Sequence, residues 1–342
     1  MKNIIQLLMV VVLITILQLE VPSPQAATGT AHRAVHTRAH RLQVFVPADT
    51  DEAGGWLIEC VQCPKQFGSL SDRSLVLDPA GHPHIVYGGD HLYHAWYDSG
   101  AWQSETVDIS TGVGDFASLA IDDNGYLHVS YLGQNEFPQG TLKYAYQDID
   151  GWHIQTLDSS GNIAMSSMAL DINGFPHISY YISSTDEAYY YYLKYVYKDT
   201  QGWHSETVDT AGYIGHGHNS IAVDISGNPY ISYVGYEVSL NDHLKFAERD
   251  VNGWQVEVVD SELEGYIGIN NSLAVDTNGN PHIGYYDSTF HNLKYAFRDA
   301  AGWQIEIVED AGDVGEGPSI ALDNDRNPHL SYSDFTDDLL RY

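Results

Sequence analysis

Residues 272–310 read SLAVDTNGNPHIGYYDSTFHNLKYAFRDAAGWQIEIVED, and this stretch decides the fold. It divides into three phrases. Ser272-Leu-Ala-Val-Asp276 leads through a turn to Pro281-His282-Ile-Gly-Tyr285; Leu293-Lys294-Tyr295-Ala296-Phe297 follows; Gly302-Trp303-x-x-Glu306 closes the unit. Each phrase alternates apolar and polar residues and is rich in β-branched and aromatic types, the period-two pattern of a half-buried strand. The links, Asp276-Thr-Asn-Gly279 and Ala301-Gly302, are turn formers. The stretch therefore predicts four short antiparallel strands.

The same unit recurs along the chain. The first phrase occurs six times: Ser74–Tyr87, Ser118–Tyr131, Ser167–Tyr180, Ser220–Tyr233, Ser272–Tyr285 and Ser319–Tyr332. The Leu-Lys-Tyr phrase starts at Leu92, Leu142, Leu193, Leu244 and Leu293, with a degraded copy expected at Leu339. The third phrase carries Trp102, Trp152, Trp203, Trp254 and Trp303, and Trp56 stands alone near the start. A four-stranded unit of roughly 40–50 residues repeated in tandem is a β-propeller blade. The reading is a six-bladed propeller over residues 56–342. The last repeat stops at the start of its third strand, so Trp56–Val61 is expected to supply the missing fourth strand and close the ring, with Leu42–Val46 a competitor for the third.

Spacing separates two faces. The turn between strands one and two is constant, Asp78 to His84 being six residues, as in the other repeats. The link from Leu92 to Trp102 is ten in this repeat and in the next four. The loops between strands two and three, and from strand four to the next blade, vary, and alternating strand direction brings both to one face. Loops of varying length on a rigid scaffold carry function. Candidate ligand-binding residues on that face are Asp186, Glu187, Tyr189, Tyr190, Tyr191, Tyr236, Glu237, Asp242, Asp287 and His291. At the starts of the inner strands they are Phe116, His216, His218 and Glu316. Aromatic rings beside carboxylates suit sugars, which offer C–H faces and hydroxyls.

Composition narrows the classes. The chain has 342 residues, 46 acidic against 15 basic, and a formal charge of −31. Nucleic-acid binding needs clustered Lys and Arg and is disfavoured. A hydrophobic fraction of 43% with 12% aromatics argues for a core rather than disorder. One apolar run exists, Ile4–Leu19, after Met1-Lys2-Asn3 and before Pro22, Pro24 and Ala26-Ala27. Two readings stay open for residues 1–27: a secretory signal, or a retained membrane anchor, which the basic Arg33, Arg38 and Arg41 just beyond it favour. Either places the acidic body outside the cytoplasm, secreted or at the cell surface, with residues 28–55 as a linker.

Several constellations were weighed for chemistry. The repeat histidines His84, His128, His177, His282 and His329 lie on a circle too wide for one metal, so each is expected to bond within its blade, to the Ser two positions on or the turn Asp. His216 and His218 are a separate candidate for a metal or ligand. Asp-x-Asn-Gly turns lack the continuation of a helix–loop–helix calcium site, yet the acidic variable loops could hold calcium. Cys60 and Cys63 lack the helix of a redox motif and the extra ligands of a zinc site. A local disulfide stays open for them.

The repeated phrases resemble a family of secreted bacterial and archaeal propellers whose repeats run SLALDxxGNPHISYYD…LKYAYRDGxGWxxETVD, among sialidase-like and fucose-lectin-like propellers. The resemblance covers about residues 56–342. The sialidase Asp box is absent in strict form, since Asp299 and Trp303 are four apart, and no arginine triad is apparent. The resemblance therefore carries over no catalytic residue. The expected function is non-catalytic carbohydrate recognition. A glycoside-processing enzyme with a carboxylate pair, or a protein-interaction platform, remain as alternatives.

Overall fold

The computed structural model describes residues 71, 73–136, 139–183, 191–214, 218–236, 242–261 and 265–342. All regular structure in them is β. Blade one comprises Leu75–Leu77, Pro83–Tyr87, Leu92–Asp98 and Ala101–Asp108; blade two Val113–Ile121, Leu127–Glu136, Gln139–Asp148 and Gly151–Asp158. Blade three comprises Asn162–Leu170, Pro176–Ser183, Tyr191–Asp199 and Gly202–Ile214; blade four Ser220–Val223, Pro229–Tyr236, Asp242–Asp250 and Gly253–Asp260. Blade five comprises Ile267–Val275, Pro281–Asp287, Asn292–Asp299 and Gly302–Glu309; blade six Val314–Leu322, Pro328–Asp334 and Leu339–Arg341. Within each blade, strands pair antiparallel with their sequence neighbours, as the repeat predicts. Ile214 also pairs with Gly235, so blades three and four share one continuous sheet. The closing segment 56–61, Cys60 and Cys63, the strand expected at 42–46 and the amino-terminal signal or anchor lie outside the described residues.

The first strands of all six blades line one central cavity of about 420 Å³. Its walls include Val76, Leu119, Met168, Ala222, Leu273 and Ile320, and Arg73 of blade one reaches the Leu273 carbonyl of blade five at 2.5 Å. The six blades are thus arranged in a ring about one axis, which this contact spans.

The repeated polar residues join the blades. In blades two to five the Ser that opens the first phrase accepts a backbone N–H from the next blade: Met168 to Ser118 at 3.0 Å, Ile221 to Ser167 at 3.3 Å, Leu273 to Ser220 at 3.1 Å, Ile320 to Ser272 at 3.2 Å. Four of the repeat tryptophans are half-buried between blades, and the indole N–H of each donates to the acidic or amide residue three positions after the preceding blade's Trp. Trp152 donates to Glu105 at 3.0 Å, Trp203 to Gln155 at 3.1 Å, Trp254 to Glu206 at 2.9 Å and Trp303 to Glu257 at 2.9 Å.

A second junction explains the Tyr ending strand two. Tyr131, Tyr180, Tyr233 and Tyr285 are buried, and a buried hydroxyl needs a partner. Each donates to the Asp ending strand four of the preceding blade: Asp108 at 2.8 Å, Asp158 at 2.7 Å, Asp209 at 2.6 Å and Asp260 at 2.7 Å. The Lys of Leu-Lys-Tyr faces the same carboxylate, Lys143 at 2.6 Å from Asp108 and Lys245 at 3.3 Å from Asp209. Burial alone would raise the Asp108 pKa, but bonds from Lys143, Ser110 and Tyr131 outweigh it and hold it at about 2. In blade six the junction is rebuilt from Tyr332, Glu309 and Arg341. Arg341 pairs with Tyr332 as Lys294 does with Tyr285. The final copy of the second phrase is therefore Leu340-Arg341-Tyr342, which corrects the expected start at Leu339 by one residue.

The repeat histidines bond within their blades, but chiefly to a partner the spacing did not suggest. His128 meets the Tyr144 hydroxyl at 2.6 Å, His177 meets Tyr195 at 2.5 Å and His282 meets Tyr295 at 2.5 Å, while His329 meets Tyr342. The expected turn Asp stands further off on the other ring nitrogen, at 3.9 Å for His128 and 4.0 Å for His282. The Ser two positions on points instead to the next blade, Ser179 to Asn219 and Ser232 to Asn271. Blade one differs: His84 meets His94 at 2.9 Å, and His94 meets Glu105 at 2.9 Å, beneath the stacked ring of Trp96.

Candidate functional site

The variable loops and the starts of the inner strands share one face, and two places on it gather side chains. The first is the channel mouth. The residue two before the phrase-opening Ser is Phe116 in blade two, Met165 in blade three and His218 in blade four. Phe116 and Met165 have φ of 50° and 49°, so strand one bulges there. These three side chains line one small pocket, and the Phe116 and His218 rings meet edge-on at 5.7 Å between centroids. Blades two and four thus touch across the axis, and the wider cavity lies on the side of the constant turns.

The second place is the corner between blades five and six. Their loops between strands two and three share one build. Asp287 accepts the N–H of Thr289 at 3.0 Å and Phe290 at 3.3 Å; Asp334 accepts Thr336 at 2.9 Å and Asp337 at 3.1 Å. Four residues on, His291 and Asp338 have φ of 57° and 53°. The segment leading to strand one of blade six passes between these loops. The Asp313 N–H donates to the Thr336 hydroxyl at 2.7 Å, and the Val314 N–H to the His291 carbonyl at 3.1 Å. Gly315, with φ of 102°, lets the chain cross Leu293 where a Cβ would lie 2.6 Å from its Cα.

This crossing brings Tyr286, His291 and Asp313 together. The Tyr286 hydroxyl donates to Asp313 Oδ1 at 2.7 Å; His291 Nδ1 lies 2.8 Å from that hydroxyl and 3.2 Å from Asp313 Oδ1. Burial and the neighbouring carboxylate raise the Tyr286 pKa. Glu316, half-buried beside them, has its pKa raised first by burial and then by Asp313, with a hydrogen bond from Asn270 opposing. Two aromatic residues border the group in the open, Phe290 at 56% and Tyr266 at 52% exposure. Their backbones are tied: the Ser288 N–H donates to the Tyr266 carbonyl at 3.0 Å, and the Tyr266 N–H to the Thr289 hydroxyl at 2.8 Å.

Of the residues expected from the sequence, His291 and Glu316 fall in this corner, and Phe116 and His218 at the channel mouth. Asp287 is fully buried; it braces its loop and pairs with Lys294 at 2.7 Å, so it belongs to the frame of the corner. Asp242 is also buried, its N–H bonded to the Gly265 carbonyl. Tyr191 begins strand three of blade three and Tyr236 ends strand two of blade four. Asp186, Glu187, Tyr189, Tyr190, His216 and Glu237 lie outside the described residues. Sequence reasoning missed Tyr286, Asp313 and Tyr266 as site residues. The available signal was positional: Tyr266 and Asp313 each precede the apolar residue that opens strand one, on the face already singled out. Among the described residues, no group of three or more His, Cys, Asp or Glu is arranged to hold a metal.

No family model and no curated protein matches the chain. Among solved structures it is similar to a protein of unknown function from Dyadobacter fermentans, with TM-score 0.52 and 12% identity over 78% of this chain and 92% of that one. It is also similar to AofleA from Arthrobotrys oligospora, with TM-score 0.50 and 10% identity over 78% of this chain and 80% of that one. A periplasmic gluconolactonase from Pseudomonas aeruginosa matches with TM-score 0.47 and 12% identity over 80% and 83% of the two chains. At such identities the likeness concerns the fold.

Proposed function

We propose that this chain is an extracytoplasmic carbohydrate-binding propeller that recognises its ligand on the variable face, at the corner between blades five and six. One observation carries the reading. Two exposed aromatic residues, Phe290 and Tyr266, stand on tied backbones beside the Tyr286–His291–Asp313 group. A sugar ring lays its C–H face on an aromatic ring while its hydroxyls bond to neighbouring polar atoms. The resemblance of the repeats to a secreted propeller family fits this placement. Calcium, if it takes part, would be held by carboxylates of the same face. A surface protein is the other class of ligand the face would suit.

The test is a glycan array on the full chain, with and without calcium, beside Phe290→Ala. Binding by the parent with at least a tenfold loss in the variant is expected. An array blank in both conditions, with a protein partner recovered by pull-down, would sink the sugar reading. The raised pKa of Glu316 beside Asp313 favours a second reading, a glycoside-processing enzyme, because a pair of carboxyls in unlike environments can divide acid and base roles. Release of reducing sugar by the parent but not by Glu316→Gln would establish it.

A further inference from the structure

We infer that the glycan held at this corner is one bearing protonated amines, an amino sugar oligomer, rather than a neutral or acidic one. The inference rests on the carbohydrate reading above and adds the ligand class. It starts from the hydrogen-bond direction at His291. The Tyr286 hydroxyl gives its proton to Asp313 Oδ1, so its bond to His291 Nδ1 at 2.8 Å requires that nitrogen to be the donor. Asp313, whose side chain is 42% exposed, accepts both contacts through Oδ1 and holds its second oxygen beyond them. The corner therefore presents a carboxylate oxygen as acceptor, and the ligand must bring a donor to it.

The positive charges of the scaffold sharpen this. Among the described residues, each lysine and arginine already faces a carboxylate, a carbonyl or an aromatic ring. The lysines of the second phrase face the Asp that ends strand four. Arg249, Arg298 and Arg341 pair with glutamates. Arg326 stands 3.8 Å from Asp276, Arg73 bonds the Leu273 carbonyl, and Lys198 lies over the Tyr146 and Trp203 rings. A sugar carboxylate or sulfate would meet Asp313 with no lysine or arginine of the described residues left to receive it. An ammonium group instead gains a charge-assisted bond to Asp313.

The experiment titrates the full chain with oligomers of glucosamine, of N-acetylglucosamine, of glucose and of glucuronate, equal in length, at a pH where the amines are protonated. The glucosamine oligomer is expected to bind at least about tenfold tighter than its acetylated counterpart, which keeps the shape and loses the charge. Asp313→Asn should remove that preference. Asp325→Asn, which removes an exposed acid from the opposite face, should leave the preference intact. Equal or tighter binding of the acetylated, neutral or acidic oligomer overturns the amine inference while the carbohydrate reading stands. Equal losses in the two Asp variants also overturn it, since the preference would then belong to the net charge. If none of the four oligomers binds, the carbohydrate reading fails with it.

Discussion

Replacing Tyr233 by Phe removes one oxygen from the junction between blades three and four and nothing else. The Tyr233 ring is fully buried, its hydroxyl donates to Asp209 Oδ2 at 2.6 Å, and Lys245 reaches the same oxygen from 3.3 Å. Burial and the adjacent Asp209 both push the Tyr233 pKa up, so the hydroxyl remains a donor throughout the stable range. A hydrogen bond to a charged group contributes about 1.5–3 kcal/mol, and the loss falls at the upper end where the remaining partner stays buried. For a domain of this size, 1 kcal/mol corresponds to about 2 °C in Tm, so Tyr233→Phe should lower Tm by roughly 3–6 °C. The assay is urea and thermal denaturation of the parent, Tyr233→Phe, Asp209→Asn and the double variant. The cycle should return a coupling of about 1–2 kcal/mol, because the two side chains act on each other directly. Tyr266→Phe, on an exposed ring, should stay within about 0.5 kcal/mol of the parent. A Tyr233→Phe variant as stable as the Tyr266→Phe one, or a coupling near zero, would refute the claim that these junctions hold the ring.

Acid should weaken the fold in two stages. Burial lowers the pKa of His84, His128 and His282, and that of His177 to about 4. Between pH 6.5 and about 4 the unfolded chain binds protons that the folded chain refuses. The stability due to neutral burial is therefore whole above pH 6.5 and lost as pH falls through that window. Below the ordinary value of 3.8, protonation of Asp108, Asp122 and Asp276, all held low in the fold, removes more. A Tm that stays flat from pH 7 to 4.5 would contradict the first stage. His94→Tyr gives blade one the His–Tyr pair of blades two, three and five, and removes the imidazole 2.9 Å from His84 that, after burial, is the next cause of the lowered His84 pKa. Its stability at pH 7.5 should change by no more than about 1 kcal/mol, with a smaller loss on going to pH 5 than the parent shows in paired urea titrations.

The blade architecture was legible because it is written locally. Alternation within five or six residues and turn residues at constant spacing suffice for strands, and six copies suffice for a ring. The junctions were less legible because their partners lie in neighbouring repeats: Tyr131 and Asp108 meet across 23 residues, Trp152 and Glu105 across 47. Asp108, Asp158, Asp209 and Asp260 look locally like residues of the link after strand four, yet each anchors the next blade as well. One signal could have shown it. Where strand four ends in Glu309 instead of Asp, the second phrase carries Arg341 instead of Lys, a paired change at one junction. Two adjacent leucines hid that alignment, and the ladder resolved it by pairing Leu340 with Ser333. The His–Tyr pairs escaped for a different reason. The distance from His to Tyr along the chain includes a loop of variable length, being 16 residues in blade two and 13 in blade five.

A repeat that fixes so many polar residues at junctions also shows where to look for function, namely beside positions that are equivalent in the ladder, where the residue changes between blades. Val113, Ile163, Ile214, Ile267 and Val314 are such equivalents, each paired with the residue two after the Tyr ending strand two. The residues just before them are Gly112, Asn162, Tyr213, Tyr266 and Asp313. The backbone at that position is needed for closure of the blade, while the side chain varies freely. Tyr266 and Asp313 occupy it in adjacent blades and flank the loop that carries Phe290 and His291. A framework residue is expected to stay constant at equivalent positions because the same partner faces it each time, as Tyr233 faces Asp209 and Tyr285 faces Asp260. A ligand meets only one place on the ring, so the residues that serve it should break the repeat. By that criterion the −31 charge divides: the carboxylates repeated at turns and junctions serve the scaffold, and in the proposed site it is Asp313 with Glu316 that would bring acidity to recognition.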